Sequence, residues 1–253
     1  VQGASRPISA EELEACAAAG ITFVEMPIAF DGISIVVNNA NPATAITTAE
    51  LRRMWEPAAE RTVTTWRQVN PSWPATPLLL FGPGTASGTF DYFTQAINGT
   101  DGASRSDYTP SEDDNVIVQG VISNAGGVGY FGYAYYDQNR TRLKALSVDG
   151  VAPSAETIAN GTYPLARPIF IYVNADALQR PQVQRFVQYY VQNAGRLATD
   201  VGYVGLSDAA YATLATRVTE RQSGTAFGGH NEVRVNIEEV LARPLSATAA
   251  PAQ

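Results

Sequence analysis

The chain has 253 residues, 45% hydrophobic and 16% charged, enough apolar side chain to bury a full core in one or two domains. Its net charge of −7 excludes the basic surface that nucleic-acid binders carry. No run of about 18 apolar residues is present, so no membrane-spanning helix is expected.

Ser9 stands three residues before Glu12, a capping-box pattern, and predicts a helix over Glu11–Ala19 closed by Gly20. Cys16, the single cysteine, reads either as a small buried apolar residue or as half of a lost pair. Ile21–Ala29 is read as a strand, Asp31-Gly32 as a turn, and Ile33–Val37 as a second strand. Thr47 or Thr48 caps a helix that runs through Trp55, with Leu51, Met54 and Trp55 on one face. Residues 57–77 are polar and broken by prolines, and Trp66 and Trp73 there are packing anchors.

Leu78–Phe81 is a short buried-strand run, and Gly82, Pro83 and Gly84 end it. Phe90, Phe93 and Ile97 then recur at helical spacing. The stretch FGPGTASGTFDYFTQAI therefore predicts strand, tight loop, helix. The first amides of a helix have no intrahelical partner and lie at the positive end of its dipole. Gly88 lets an anion approach the backbone, while Ser87 and Thr89 add hydroxyl donors, a pattern suited to a tetrahedral oxyanion. The same residues serve equally as a plain helix cap.

After a Gly/Ser/Asp/Thr-rich linker over Asn98–Thr109, residues 111–115 (SEDDN) precede a helix starting at Val116–Val121. They read as a solvated helix start that also lines the cleft, without the spacing of a calcium loop. Gly126–Tyr133 is a turn into a small-residue strand, and a phosphate-loop motif is incomplete there. Leu143–Val148 and Ile169–Val173 are strands. Gln182–Asn193 is a helix with Val183, Phe186, Val187, Tyr190 and Val191 as its apolar face, ending near Gly195. The strand-like Val201–Leu206 and a helix over Asp208–Val218 follow. His230, the single histidine, reads as a solvated loop residue. No nucleophile–base pair and no metal-ligand cluster is visible, so neither catalytic nor metal residues are expected, and no cofactor. Strands alternating with helices predict α/β layers.

Long blocks (LLLFGPGTASGTFDYFTQAI, SRSDYTPSEDDNVIVQGV, GGVGYFGYAYY and VGYVGLSD, with ASRPI and DGISIVVN) resemble the PstS/SphX-like phosphate-binding proteins of bacterial ABC phosphate importers. The resemblance covers nearly all of residues 3–240. It implies a class II periplasmic-binding-protein fold: two α/β lobes joined by hinge strands near Pro27–Ile33 and Arg167–Ile171, with phosphate in the cleft. It places one lobe at 1–30 with 168–240, the other at 31–167, and a disordered tail at 241–253. By the same resemblance Ser87, Gly88 and Thr89 match the family's phosphate-binding S-G-T, and Ser5 and Arg6 match its A-S-R segment. An arginine there suits an oxyanion, donating two parallel bonds, and a local ion pair is the competing role for Arg6. Gly3 and Ala86 stand where the family commonly has aspartates. An ionised carboxylate only accepts hydrogen bonds, so it recognises an oxyanion that still carries a proton.

The resemblance further implies capture of inorganic phosphate outside the cytoplasm, in the periplasm or after secretion, for the permease of an ABC importer, with no turnover and no nucleic-acid partner. The alternative is a structural or interaction protein that kept the fold and lost or weakened anion binding. The family's N-terminal strand–loop–helix segment has no counterpart before ASRPI. An incomplete lobe is therefore expected, with Ile21, Phe23 and Val24 short of cover, Cys16 without its family partner, and an open sheet edge for another chain.

Overall fold

Local sequence signals set most helix starts, and long-range pairing sets the strands. The structure, a computed structural model, describes residues 1–230, 232 and 235–248. Its main strands are β1 (Gln2–Ala4), β2 (Phe23–Asn38), β3 (Leu79–Pro83), β4 (Thr109–Ser111), β5 (Gly127–Gly132), β6 (Leu143–Ala145) and β7 (Ala166–Asn174). The main helices are α1 (Ala10–Ala18), α2 (Thr48–Trp55), α3 (Gly88–Asn98), α4 (Asp114–Ile122), α5 (Pro181–Asp200), α6 (Asp208–Glu220) and α7 (Ile237–Leu241). Two compact units result: Val1–Asp31 with Ile158–Thr162 and Ala166–Gln253, and Gly32–Thr157 with Tyr163–Leu165.

In the first unit β1 pairs antiparallel with β7, Gly3 opposite Ile171, and β7 lies beside β2. Glu25 is buried here and accepts from Tyr172 Oη at 3.0 Å, Thr225 Oγ1 at 2.7 Å and the Ala226 amide at 3.0 Å. Burial pushes its carboxyl above the usual range, and these three donors oppose that shift. Helices α5 and α6 pack closely because Gly195 faces Tyr211, where a Cβ would sit 3.0 Å from the ring.

In the second unit the far half of β2 pairs antiparallel with β5 (Ile35 opposite Tyr130) and with β6 (Val37 opposite Lys144). Strand β3 runs parallel between β5 and β4. Helix α4 covers this sheet with Ile117, Val118 and Val121 against Val36, Phe131 and Leu143. A second cluster forms around Trp55 of α2, whose ring meets Phe93, Tyr108 and Tyr130 edge-on at 5.6, 5.5 and 4.9 Å.

The expected capping box closes, Ser9 with Glu12, and Thr47 with Glu50 and Thr65 with Gln68 form others. Several expectations are corrected. Asp31-Gly32 is no turn: β2 continues through it, because both flanks find ladder partners and Asp31 pairs with Arg167 at 3.2 Å. Leu143–Val148 is not one strand; Leu146 donates to the Ile35 carbonyl, and Ser147–Val148 pairs instead with Ala45–Ile46. Helix α5 runs past Gly195 to Asp200, and Phe186 is 52% exposed rather than part of its buried face. Phe23 and Val24 do not lack cover: Phe23 meets the Tyr172 ring at 5.7 Å, its carbonyl accepts from Gly224, and both side chains are buried. Ile21 is exposed. The expected disordered tail is ordered at its start, where Ser246 and Thr225 exchange backbone hydrogen bonds, while residues 249–253 lie outside the described residues.

Candidate functional site

The loop between β3 and α3 is built by backbone contacts. The Gly84 amide donates to the Ser111 carbonyl at 3.2 Å, and the Ser87 amide donates back to the Gly84 carbonyl at 3.1 Å. Ser87 then takes the extended N-cap conformation, and its Oγ accepts from the Thr89 amide at 3.2 Å. The cap reading is therefore realised. It uses only the acceptor side of the hydroxyl; the proton of Ser87 Oγ is a separate donor, as is that of Thr89. Gly88 is exposed, Ser87 and Thr89 are half-buried, and Phe90 and Phe93 anchor the helix in the core. Donors thus gather at the positive end of an eleven-residue helix, an arrangement that suits an oxyanion.

Ser5 and Arg6 lie in the first unit, on the exposed turn after β1. Arg6 grips Glu12 in a two-pronged pair, Nη1 to Oε2 at 2.8 Å and Nη2 to Oε1 at 3.0 Å. That hydrogen-bonded guanidinium holds the Glu12 carboxyl down at about 2. Glu12 also accepts from the Ser9 amide at 2.8 Å, so one side chain closes the capping box and fixes the arginine. Both residues line a hollow of about 770 Å³ with β1, Cys16, Ile21 and Tyr172. A side chain at Gly3 would meet open space. Cys16 is half-buried and forms no disulfide, so it is not a core residue.

Arg105 and Tyr108 of the second unit were not singled out from the sequence, whereas Glu112 was read as part of the acidic stretch 111–115. Arg105, 3% exposed, donates to Asp107 at 2.5 and 2.8 Å and to the carbonyls of Met54 and Val63. Tyr108 donates from Oη to the Pro83 carbonyl at 2.8 Å, bracing the end of β3. Glu112, from the acidic stretch before α4, lies against the loop with Oε1 3.4 Å from the Ala86 nitrogen. Residues 84, 85, 104–106, 108 and 110–112 line a hollow of about 480 Å³. Among the described residues no His, Cys, Asp and Glu side chains cluster to hold a metal, and His230 is exposed.

Two α/β units crossed by the long strand β2, with an anion-suited helix start at the end of β3, define a solute-binding protein of the class II periplasmic type. The family model for the PBP superfamily domain matches residues 1–194. Protein SphX of Synechococcus elongatus is 47% identical over 247 residues, 95% of this chain and 73% of SphX. The phosphate-binding protein PstS of Staphylococcus saprophyticus is 35% identical, covering 87% of this chain and 67% of PstS. A crystal structure of a possible phosphate-binding protein from Planctomyces limnophilus superposes with a TM-score of 0.78 at 42% identity, over 86% of this chain and 79% of that one. The chain belongs to the PBP superfamily, in the group that holds the SphX and PstS proteins.

Proposed function

We propose that this protein captures inorganic phosphate outside the cytoplasm and presents it to the permease of an ABC importer, binding without turnover. The observation that carries the reading is the Ser87-Gly88-Thr89 start of α3, with its hydroxyls and amides gathered at the helix dipole. It is supported by relatives named as phosphate-binding proteins at 35% identity over most of the chain. Ser5 and Arg6 are the donors assigned to the first unit. Nothing observed favours a structural protein that has lost its anion. No helix of the described residues is long and apolar enough to cross a membrane, which fits an exported binding protein.

The reading is tested at Thr89. Thr89→Val removes one hydroxyl donor from a charged acceptor, worth roughly 1.5–3 kcal/mol, or about 10- to 150-fold in phosphate affinity. Equilibrium dialysis against labelled phosphate reads that loss, and an unchanged affinity would contradict the assignment of this loop.

A second part of the proposal concerns the edge. Strand β1 has β7 as its one partner among the described residues, and beside it lies the hollow containing Cys16 and the exposed Ile21. Another chain adds a strand to this edge. Light scattering on the purified chain should then show an assembly larger than a monomer, reduced by Gln2→Pro; a monomer at all concentrations contradicts it.

A further inference from the structure

We propose that Tyr172, oriented by the buried Glu25, is a positioning residue for phosphate capture: its hydroxyl fixes the Ser5–Ile8 segment that carries the donors assigned to the first unit. The inference rests on the phosphate-capture reading and deepens it, because Tyr172 acts through Ser5 and Arg6 and not on the anion itself.

The β1–β7 ladder ends with Ala4 opposite Phe170, and Ser9 caps α1, so Ser5–Ile8 spans the gap between strand and helix. Pro7 is buried there, while Ser5 and Arg6 are exposed. Exposed donors on so short a connection serve an anion best when their place is set beforehand, since ordering them on binding costs affinity. Glu12 holds the Arg6 guanidinium, but the backbone needs a separate anchor. The Ile8 amide supplies it, donating to Tyr172 Oη at 2.8 Å across 164 positions of the chain. Tyr172 lines the same hollow as Ser5, Arg6 and Ile8.

Chemistry fixes the direction of each bond in this relay. An amide only donates, so Tyr172 Oη accepts from Ile8 and turns its own proton to Glu25 Oε2, 3.0 Å away. Glu25 is held in turn by Thr225 Oγ1 at 2.7 Å and by the Ala226 amide at 3.0 Å, and Thr225 Oγ1 accepts from the Phe227 amide at 3.0 Å. Glu25 and Thr225 are each 1% exposed, a depth at which an unpaired polar group is costly, so the relay stays closed. The Tyr172 ring packs against Phe23 and Phe170, with centroids at 5.7 and 5.9 Å. Strand β2, strand β7 and the stretch after α6 thus converge on one hydroxyl, and that hydroxyl holds the donor segment.

The experiment is a calorimetric titration with inorganic phosphate of the full chain, Tyr172→Phe, Arg6→Ala and the double variant, with hydrogen exchange read at the Ile8 amide. Tyr172→Phe keeps the ring and removes only the hydroxyl. Phosphate affinity should fall by about three- to tenfold, and the Ile8 amide should exchange faster. In the Arg6→Ala background the same change should cost less than about twofold, because the segment has lost a donor it places. A hydroxyl of purely structural use lowers the melting temperature and leaves phosphate affinity unchanged, or its loss multiplies with that of Arg6→Ala; either result overturns the proposal. If Tyr172→Phe does not fold, Thr225→Val takes one donor from Glu25, leaves Tyr172 in place and should weaken phosphate binding in the same direction; unchanged affinity there overturns the relay. A wild type that binds no phosphate overturns the capture reading, whereas an Ile8 amide that exchanges no faster in Tyr172→Phe overturns the positioning role alone.

Discussion

Arg105 and Asp107 show how a charge can be spent on architecture two residues from a binding loop's neighbour. The Arg105 hydrogen bond, opposed by partial burial, holds the Asp107 carboxyl at about 2 against an ordinary 3.8. The folded value lies below the unfolded one, so the pair's contribution is full above pH 4 and is lost as pH falls towards 2. Asp107 is exposed, so solvent screening cuts the contribution to on the order of 1 kcal/mol. Asp107→Asn leaves a buried guanidinium without a countercharge and should cost about 3–5 kcal/mol near neutrality. Urea denaturation of wild type and variant reads both effects: the gap between them narrows from pH 7 to pH 2, and a constant gap contradicts the pairing. Arg6 with Glu12 is the exposed counterpart, and its residue roles were partly visible in advance, since an ion pair was one of two roles open to that arginine. Arg105 was not visible, because the carbonyls it serves, Met54 and Val63, lie more than 40 residues upstream.

Helix α3 is positioned by its apolar side. Phe93 stacks on Tyr130 of β5 at 3.8 Å, and Trp55 of α2 closes over both. Trp55→Ala should therefore cost about 3–5 kcal/mol in chemical denaturation and weaken phosphate binding with it, since the cap residues ride on this helix. A loss of stability below about 1 kcal/mol would show that the cluster does not hold α3. The elements legible in the sequence are those fixed by neighbours close along the chain: the capping box at Ser9, the helix cap at Thr47 or Thr48, the strand–loop–helix around Ser87, and the Leu51, Met54, Trp55 face. The misreadings come from distant partners. Asp31-Gly32 has turn chemistry, yet β5, β6 and β7 extend it into one strand. Gly195 resembles a helix stop, yet Tyr211 requires a small residue inside the helix. The approach of Glu112 to Ala86 depends on the β3–β4 register across 26 residues, which no local pattern encodes.

At the scale of the molecule, a net charge of −7 surrounds a site that is proposed to take an anion. Affinity must then come from local amides and hydroxyls against a mildly unfavourable field. Raising the salt from about 0.01 M to about 0.15 M screens that field, so phosphate binding should hold constant or tighten slightly. A tenfold weakening, of the kind a basic patch gives, would show that long-range attraction carries the binding. Strand β2 runs from one unit into the other; Ser87, Gly88 and Thr89 belong to the second unit, and Ser5 and Arg6 to the first. Bound phosphate stabilises whichever state holds it by RT ln(1 + [L]/Kd), about 2.7 kcal/mol at a hundredfold excess over Kd. The most direct test of the central claim is a calorimetric titration of the unaltered chain with inorganic phosphate. Saturable binding of one phosphate per chain, retained in excess sulfate, is the predicted result; absence of heat and of any phosphate-dependent rise in melting temperature would contradict it.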